Sequence, residues 1–158
     1  DALDWLATVR PEQSIAEVQY WGHGKWGKAR VDNDVLDARA LLPDHPLHAG
    51  LKRLRSRLAD GPDGLLWFRT CETFGAEAGQ TFARDLSDFL GSRVAGHTFI
   101  IGHVQSGLHS LLPGAPVTWS ETEGVREGSP ASPQRAYWSA LKAPNTITCL
   151  RGSIPNGY

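Results

Sequence analysis

The chain has 158 residues, 41% of them apolar and 21% charged. That length and composition suit one globular domain and exclude the disordered, collagen-like and coiled-coil classes. Sixteen basic residues stand against 17 acidic ones, a formal charge of -1, so there is no field for sequence-independent nucleic-acid binding. No apolar run approaches the roughly 18 residues of a membrane span, and no signal peptide opens the chain. Two cysteines, Cys71 and Cys149, are too few for a disulfide scaffold. A soluble, cytoplasmic domain with reduced thiols and no membrane partner is expected. The chain lacks methionine and opens at Asp1 in mid-sequence, so a preceding segment is expected too.

Ala2 to Val9 reads as a short helix stopped by Pro11. Ser14 to Trp21 reads as a strand, and Asp32, Asn33 and Asp34 between Val31 and Val35 as a hairpin turn. Asp44 and Pro46 mark a helix start, and Leu47, Leu51, Leu54 and Leu58 form one helical stripe that ends near Gly61. Leu65 to Thr70 is a nearly continuous apolar run, as in a strand buried on both faces. Ala78, Phe82, Leu86 and Phe89 or Leu90 stripe a second helix closed by Gly91, and Val94 to Ile101 follows as a strand. This alternation predicts right-handed crossovers, a mainly parallel sheet and helices on both faces. Strands are further expected at Val117 to Ser120 and Thr146 to Leu150, and a mobile loop from Glu121 to Pro133. One domain, residues 1–158, is expected.

Working residues in a parallel sheet gather beyond the carboxyl ends of its strands. His23 and Cys71 each lie just past such an end, on strands linked by one crossover helix. A thiol is a weak nucleophile at neutral pH, and a neighbouring imidazole takes its proton and returns it to the leaving group. His23 precedes Cys71 by 48 residues, near the roughly 50 that separate the caspase pair. Gly22-His23-Gly24 after one strand and Phe68-Arg69-Thr70-Cys71 at the end of the next, with a helix between and a helix following, resemble the caspase, gingipain and legumain superfamily of cysteine peptidases. The resemblance covers roughly Ile15 to Ile101 and points to a bacterial, little-characterised branch.

The resemblance implies His23 as general base and acid, Cys71 as nucleophile, and the N–H groups of Gly24 and Cys71 as the oxyanion hole. It implies a peptide or protein substrate and no cofactor. It further implies that Arg69, two residues before the nucleophile, faces the side chain preceding the cut and prefers Asp or Glu. Trp26, Glu72 and His103 are the other candidate substrate contacts, and Trp21 with Trp26 would wall a groove. Two departures stand out. Glu72-Thr73-Phe74-Gly75 replaces the caspase Cys-Arg-Gly continuation. The superfamily's first two strands are also missing, which leaves a preceding segment, a partner chain or a minimal variant to complete the sheet. A catalytically inactive binding or assembly module with the same fold is the competing reading.

Other patterns carry less. Gly22 to Lys28 fits the spacing G-x-x-x-x-G-K, but Ala29 stands where a phosphate loop needs Ser or Thr, and a hairpin pattern follows instead of a helix. His97, His103 and His109 recur every six residues, which suits no metal-ligating pair, so no metal is expected. Lys52, Arg53, Arg55 and Arg57 read as a solvated helix face, and Cys149 as a core residue.

Overall fold

The computed structural model describes residues 2–31 and 33–158. In chain order the elements are α1 (Ala2–Thr8), β1 (Glu17–Trp21), β2 (Gly24–Lys25), β3 (Lys28–Val31), β4 (Asp34–Leu36), a 3-10 turn (Ala38–Leu41), α2 (His48–Arg55), β5 (Gly61–Arg69) and α3 (Ala76–Leu90). Then come β6 (Ser92–His97), β7 (Val104–Gln105), β8 (Leu108–Leu111), β9 (Val125–Ser129), β10 (Ser132–Ala136) and β11 (Ile147–Thr148). The main sheet has the order β1-β5-β6-β8. Its first three strands are parallel and β8 is antiparallel to β6, so the expected crossover core is present. Among the described residues no helix is long and apolar enough to cross a membrane.

Strand alternation decides what the sheet buries. Val18, Tyr20, Leu66, Phe68, Val94 and Leu111 face one side, where they pack with Leu3 and Leu6 of α1, Leu51 and Leu54 of α2, and Phe82 and Leu86 of α3. All three helices therefore cover a single face, which corrects the expectation of helices on both. The opposite face, with Leu65, Trp67, Ala95 and Leu108, is covered by Ile147, Ile154 and Tyr158. The chain beyond β8 forms no helix, and its irregular end supplies that cover.

Several local readings shift for visible reasons. The leucine stripe holds, with Leu51 and Leu54 buried, but the helix starts only at His48. Leu58 lies past its end in a bridge to Ile15. Gly91 closes α3 in the left-handed conformation, φ 67°, with its N–H on Ser87 O. Arg57 departs from the solvated face: its guanidinium donates to the carbonyls of Leu6, Ala7, Val9, Arg10 and Gln13 and closes the end of α1. The hairpin expected at residues 32–34 pairs Val31 with Asp34 and Arg30 with Val35, and Asp32 lies outside the described residues. Val117 to Ser120 is not a strand. Trp119 is instead buried there, stacked on Phe74 at 5.9 Å between ring centroids. The polar stretch read as a mobile loop forms the β9–β10 hairpin, whose backbone pairing requires no apolar period.

Candidate functional site

The parallel register sets the site. Trp21 pairs with Arg69, so β1 and β5 end level with each other and release their chains at the same edge. The chain leaving β1 turns through Gly22 and His23 into the β2–β3 hairpin. Lys28 opens β3, not a helix, so the phosphate-loop spacing has no helix N-terminus behind it. The chain leaving β5 makes a tight turn in which the hydroxyls of Thr70 and Thr73 hydrogen-bond to each other.

This turn holds the hairpin. Gly27 N–H donates to Thr73 O at 3.0 Å, and the Thr73 hydroxyl reaches Lys28 O at 3.5 Å and Cys71 O at 3.3 Å. Gly24 presses onto the turn so closely that a Cβ there would lie 2.8 Å from Cys71 O. Glycine is required by that approach. The Gly24 strand is thus packed through its backbone on the Cys71 turn. Gly24 pairs with Ala29, while Arg30 N–H donates to His23 O at 2.8 Å. In an antiparallel ladder that makes Gly24 and Ala29 the non-hydrogen-bonded pair, with the Gly24 N–H directed away from β3.

The two reactive side chains are less closely joined. His23 is exposed and lines an open depression of about 300 Å³ together with Lys28, Arg30 and Val35. The half-buried Cys71 sulfur accepts from Ile101 N–H at 3.4 Å and reaches Ile101 O at 3.8 Å. No hydrogen bond links it to His23 among the described residues. Burial pushes the Cys71 thiol up from its ordinary value, the Ile101 N–H opposes that, and the Glu72 charge adds to it. The thiol is protonated at neutral pH in this arrangement and needs a base to act.

Glu72 is 8% exposed, at φ 56°, and burial raises its carboxyl pKa against the pull of Lys25. It lines a second depression of about 280 Å³ with Lys25, Trp26 and Trp138. Trp26 itself is a core residue, packed on Ala76 and Ala136.

Arg69 is 3% exposed. Its donors go to Gln105 Oε1 at 3.1 and 2.8 Å, to Arg151 O at 2.6 Å and to Cys149 O at 3.1 Å. Desolvation lowers its pKa, countered by the charges of Cys149 and Glu17. The guanidinium is covered, and apart from Gln19, 50 residues earlier, its partners come from 36 to 82 residues further along the chain.

The three evenly spaced histidines have separate partners. His97 is fully buried, bonded to Ser106 O at 3.1 Å, and desolvation pulls its pKa down to about 3. His109 Nε2 meets Glu123 Oε1 at 2.6 Å. His103 is exposed and lies with its Nδ1 3.3 Å from Cys149 Sγ. Cys149 is therefore a half-buried thiol with an imidazole partner, not the core residue expected. Cys149 was missed as a site neighbour, and no spacing signal in the sequence marks it. Among the described residues no group of three or more His, Cys, Asp or Glu could hold a metal ion.

Fold and site together define an α/β domain that presents a thiol and an imidazole on loops from neighbouring parallel strands. The model of one family, a domain of unknown function (DUF4347), matches residues 2–111, and the chain belongs to that family. The matched stretch ends with β8 and contains His23, Gly24, Arg69 and Cys71, while Cys149 lies outside it. No curated protein and no solved structure matches the chain.

Proposed function

We propose that this domain is a cysteine peptidase of caspase-like descent, acting on a peptide or protein with His23 and Cys71 as its dyad. The observation that carries the reading is the seat of Gly24 on the Cys71 turn, with its N–H turned away from β3. A backbone donor beside a nucleophile is what a tetrahedral oxyanion needs. His23 takes the Cys71 proton, and the thiolate attacks the peptide carbonyl. The Gly24 and Cys71 amides hold the resulting oxyanion, and His23 returns the proton to the departing amine. Water then hydrolyses the thioester. His23 has to swing from its exposed position to reach the sulfur, a loosening common in resting enzymes. Both cysteines are free thiols, which supports a reducing, cytoplasmic setting.

A peptide library read by mass spectrometry tests the proposal. Cys71→Ala should abolish cleavage and His23→Ala should slow it about 10²–10⁴-fold, whereas equal cleavage by Cys71→Ala refutes it. The exposed imidazole and the protonated thiol favour a second reading, a non-catalytic binding or assembly module. That reading expects no cleavage by any form.

A further inference from the structure

Two buried polar atoms near Cys71 have no use in the peptidase reading. Glu72 is 8% exposed and Trp26 9%, and neither Glu72 Oε2 nor Trp26 Nε1 has a hydrogen-bond partner among the described residues. Burial without a partner is costly for a carboxylate and for an indole N–H. No cation stands within ion-pair distance of the Glu72 carboxylate among the described residues. Its backbone is held in the left-handed region, φ 56°, by its N–H on Phe99 O at 3.0 Å and by Gly75 N–H on its carbonyl at 2.9 Å. Strain of this kind in a residue other than glycine clusters at ligand sites.

Both side chains line the same open depression of about 280 Å³. Gly75 seats them together, since a Cβ there would lie 3.1 Å from Trp26 Cδ1, the ring carbon bonded to Nε1, and 3.3 Å from Glu72 O. The other walls carry positive charge and one aromatic face. Lys25, Arg126 and Arg135 line the depression, with Lys25 Nζ over the Trp26 ring at 4.9 Å from its centroid. Arg126 and Arg135 share the one carboxylate of Glu127, at 3.9 and 3.4 Å, and their side chains are more than half exposed. Exposed pairs of this kind are weak, so both guanidinium groups are free to turn to an anion. Trp138 completes the lining and is 68% exposed, and no ring stacks on it among the described residues.

We propose that this depression binds a free guanine nucleotide. The Trp26 N–H donates to the O6 oxygen of the base, and the Glu72 carboxylate accepts from its N1–H and N2 amine. Trp138 stacks on the base, and the phosphate lies at the rim on Lys25, Arg126 and Arg135. The hydrogen-bond pattern selects the base. Adenine and cytosine each place an acceptor beside their amine, facing the carboxylate, and uracil flanks its one N–H with two carbonyls. Guanine alone of the four presents an acceptor followed by two donors along one edge, the complement of an N–H beside a carboxylate. The chain's formal charge of -1 gives no field for a nucleic-acid strand, which favours a single nucleotide. The inference is independent of the peptidase reading, although Glu72 directly follows Cys71.

The test titrates the full chain with GMP, IMP, AMP and guanosine, read by calorimetry and by quenching of tryptophan fluorescence. GMP should bind at least about 10-fold tighter than AMP, and at least about 10-fold tighter than IMP, which keeps O6 and N1–H but lacks the N2 amine. Guanosine should bind more weakly than GMP for want of the phosphate, and Trp138→Ala should lose most of the quenching. Glu72→Gln should weaken GMP at least about 10-fold. If that variant does not fold, the double variant Arg126→Ala with Arg135→Ala, both on the exposed hairpin, decides. It should lower GMP toward the affinity of guanosine and leave guanosine unchanged. The proposal is overturned if GMP does not bind, if AMP or IMP binds as tightly, if Glu72→Gln keeps full affinity, or if the double variant binds GMP as the parent chain does. Tighter binding of an oligonucleotide with an internal guanine than of GMP would overturn the assignment to a free nucleotide. Failure of peptide cleavage would remove the peptidase reading and leave these titrations as they are.

Discussion

Gly24→Ala is the sharpest structural perturbation of the site. The new methyl would sit 2.8 Å from Cys71 O and 2.8 Å from Thr70 Oγ1, with Thr73 Oγ1 closer still, where 3.4 Å is ordinary contact. The backbone oxygen cannot rotate away, so either the hairpin lifts or the turn after β5 shifts. Overpacking of this kind costs about 1–3 kcal/mol, and about 2 kcal/mol corresponds to a fall in Tm of about 4–8 °C in a domain of this size. Gly102→Ala is the matched control, because a Cβ there meets nothing within 4 Å, and its Tm should move little. Thermal unfolding followed by circular dichroism reads both. Alkylation of Cys71 by a peptide electrophile should slow in Gly24→Ala alone, since lifting the hairpin moves the proposed oxyanion donor and His23. A Gly24→Ala protein with unchanged Tm and unchanged alkylation would refute the packing of the hairpin on the Cys71 turn.

Phe74, fully buried between Phe68, at 6.3 Å, and Trp119, at 5.9 Å, should lose about 3–5 kcal/mol as Phe74→Ala, checked by urea unfolding. His97 is held neutral by burial with a pKa of about 3, while an unfolded chain protonates its imidazole near 6.5. Between those values the unfolded state binds the extra proton, so stability should fall as the pH drops below about 6.5, with no contribution from this group above it. His97→Gln should flatten that slope in a series of denaturant midpoints, and an equal slope in the variant would contradict the assignment. The raised thiol pKa of Cys71 predicts that its alkylation by iodoacetamide, without peptide present, is still accelerating above pH 9, and a plateau near neutrality would show an already activated thiolate.

Elements with strong periodicity were legible from the residues. The stripe of Phe82, Leu86 and Leu90 gives α3, and Gly91 gives its end. The apolar run from Leu65 gives the buried part of β5. Consecutive parallel strands then bring His23, Gly24 and Cys71 to one edge without knowledge of any side-chain contact. The β9–β10 hairpin was illegible because Glu127, Ser129 and Ser132 pair through their backbones and leave no hydrophobic pattern. The cover of Arg69 by Thr148, Cys149 and Arg151 was illegible for a different reason. Main-chain carbonyls carry no sequence signature, and this contact joins segments about 80 residues apart. The single helical layer follows from the failure of residues beyond β8 to form a helix, whereas the crossover pattern alone led to the expectation of two.

The central claim concerns which thiol is activated. The chain offers two, Cys71 beside the Gly24 strand and Cys149 with its sulfur 3.3 Å from His103 Nδ1. The direct measurement is mass-spectrometric mapping of the adduct formed by a thiol-directed peptide electrophile on the full chain, in parallel with His23→Ala and His103→Ala. The account predicts an adduct on Cys71 that His23→Ala slows strongly and His103→Ala leaves in place. An adduct confined to Cys149, or one on Cys71 indifferent to His23→Ala, would contradict it.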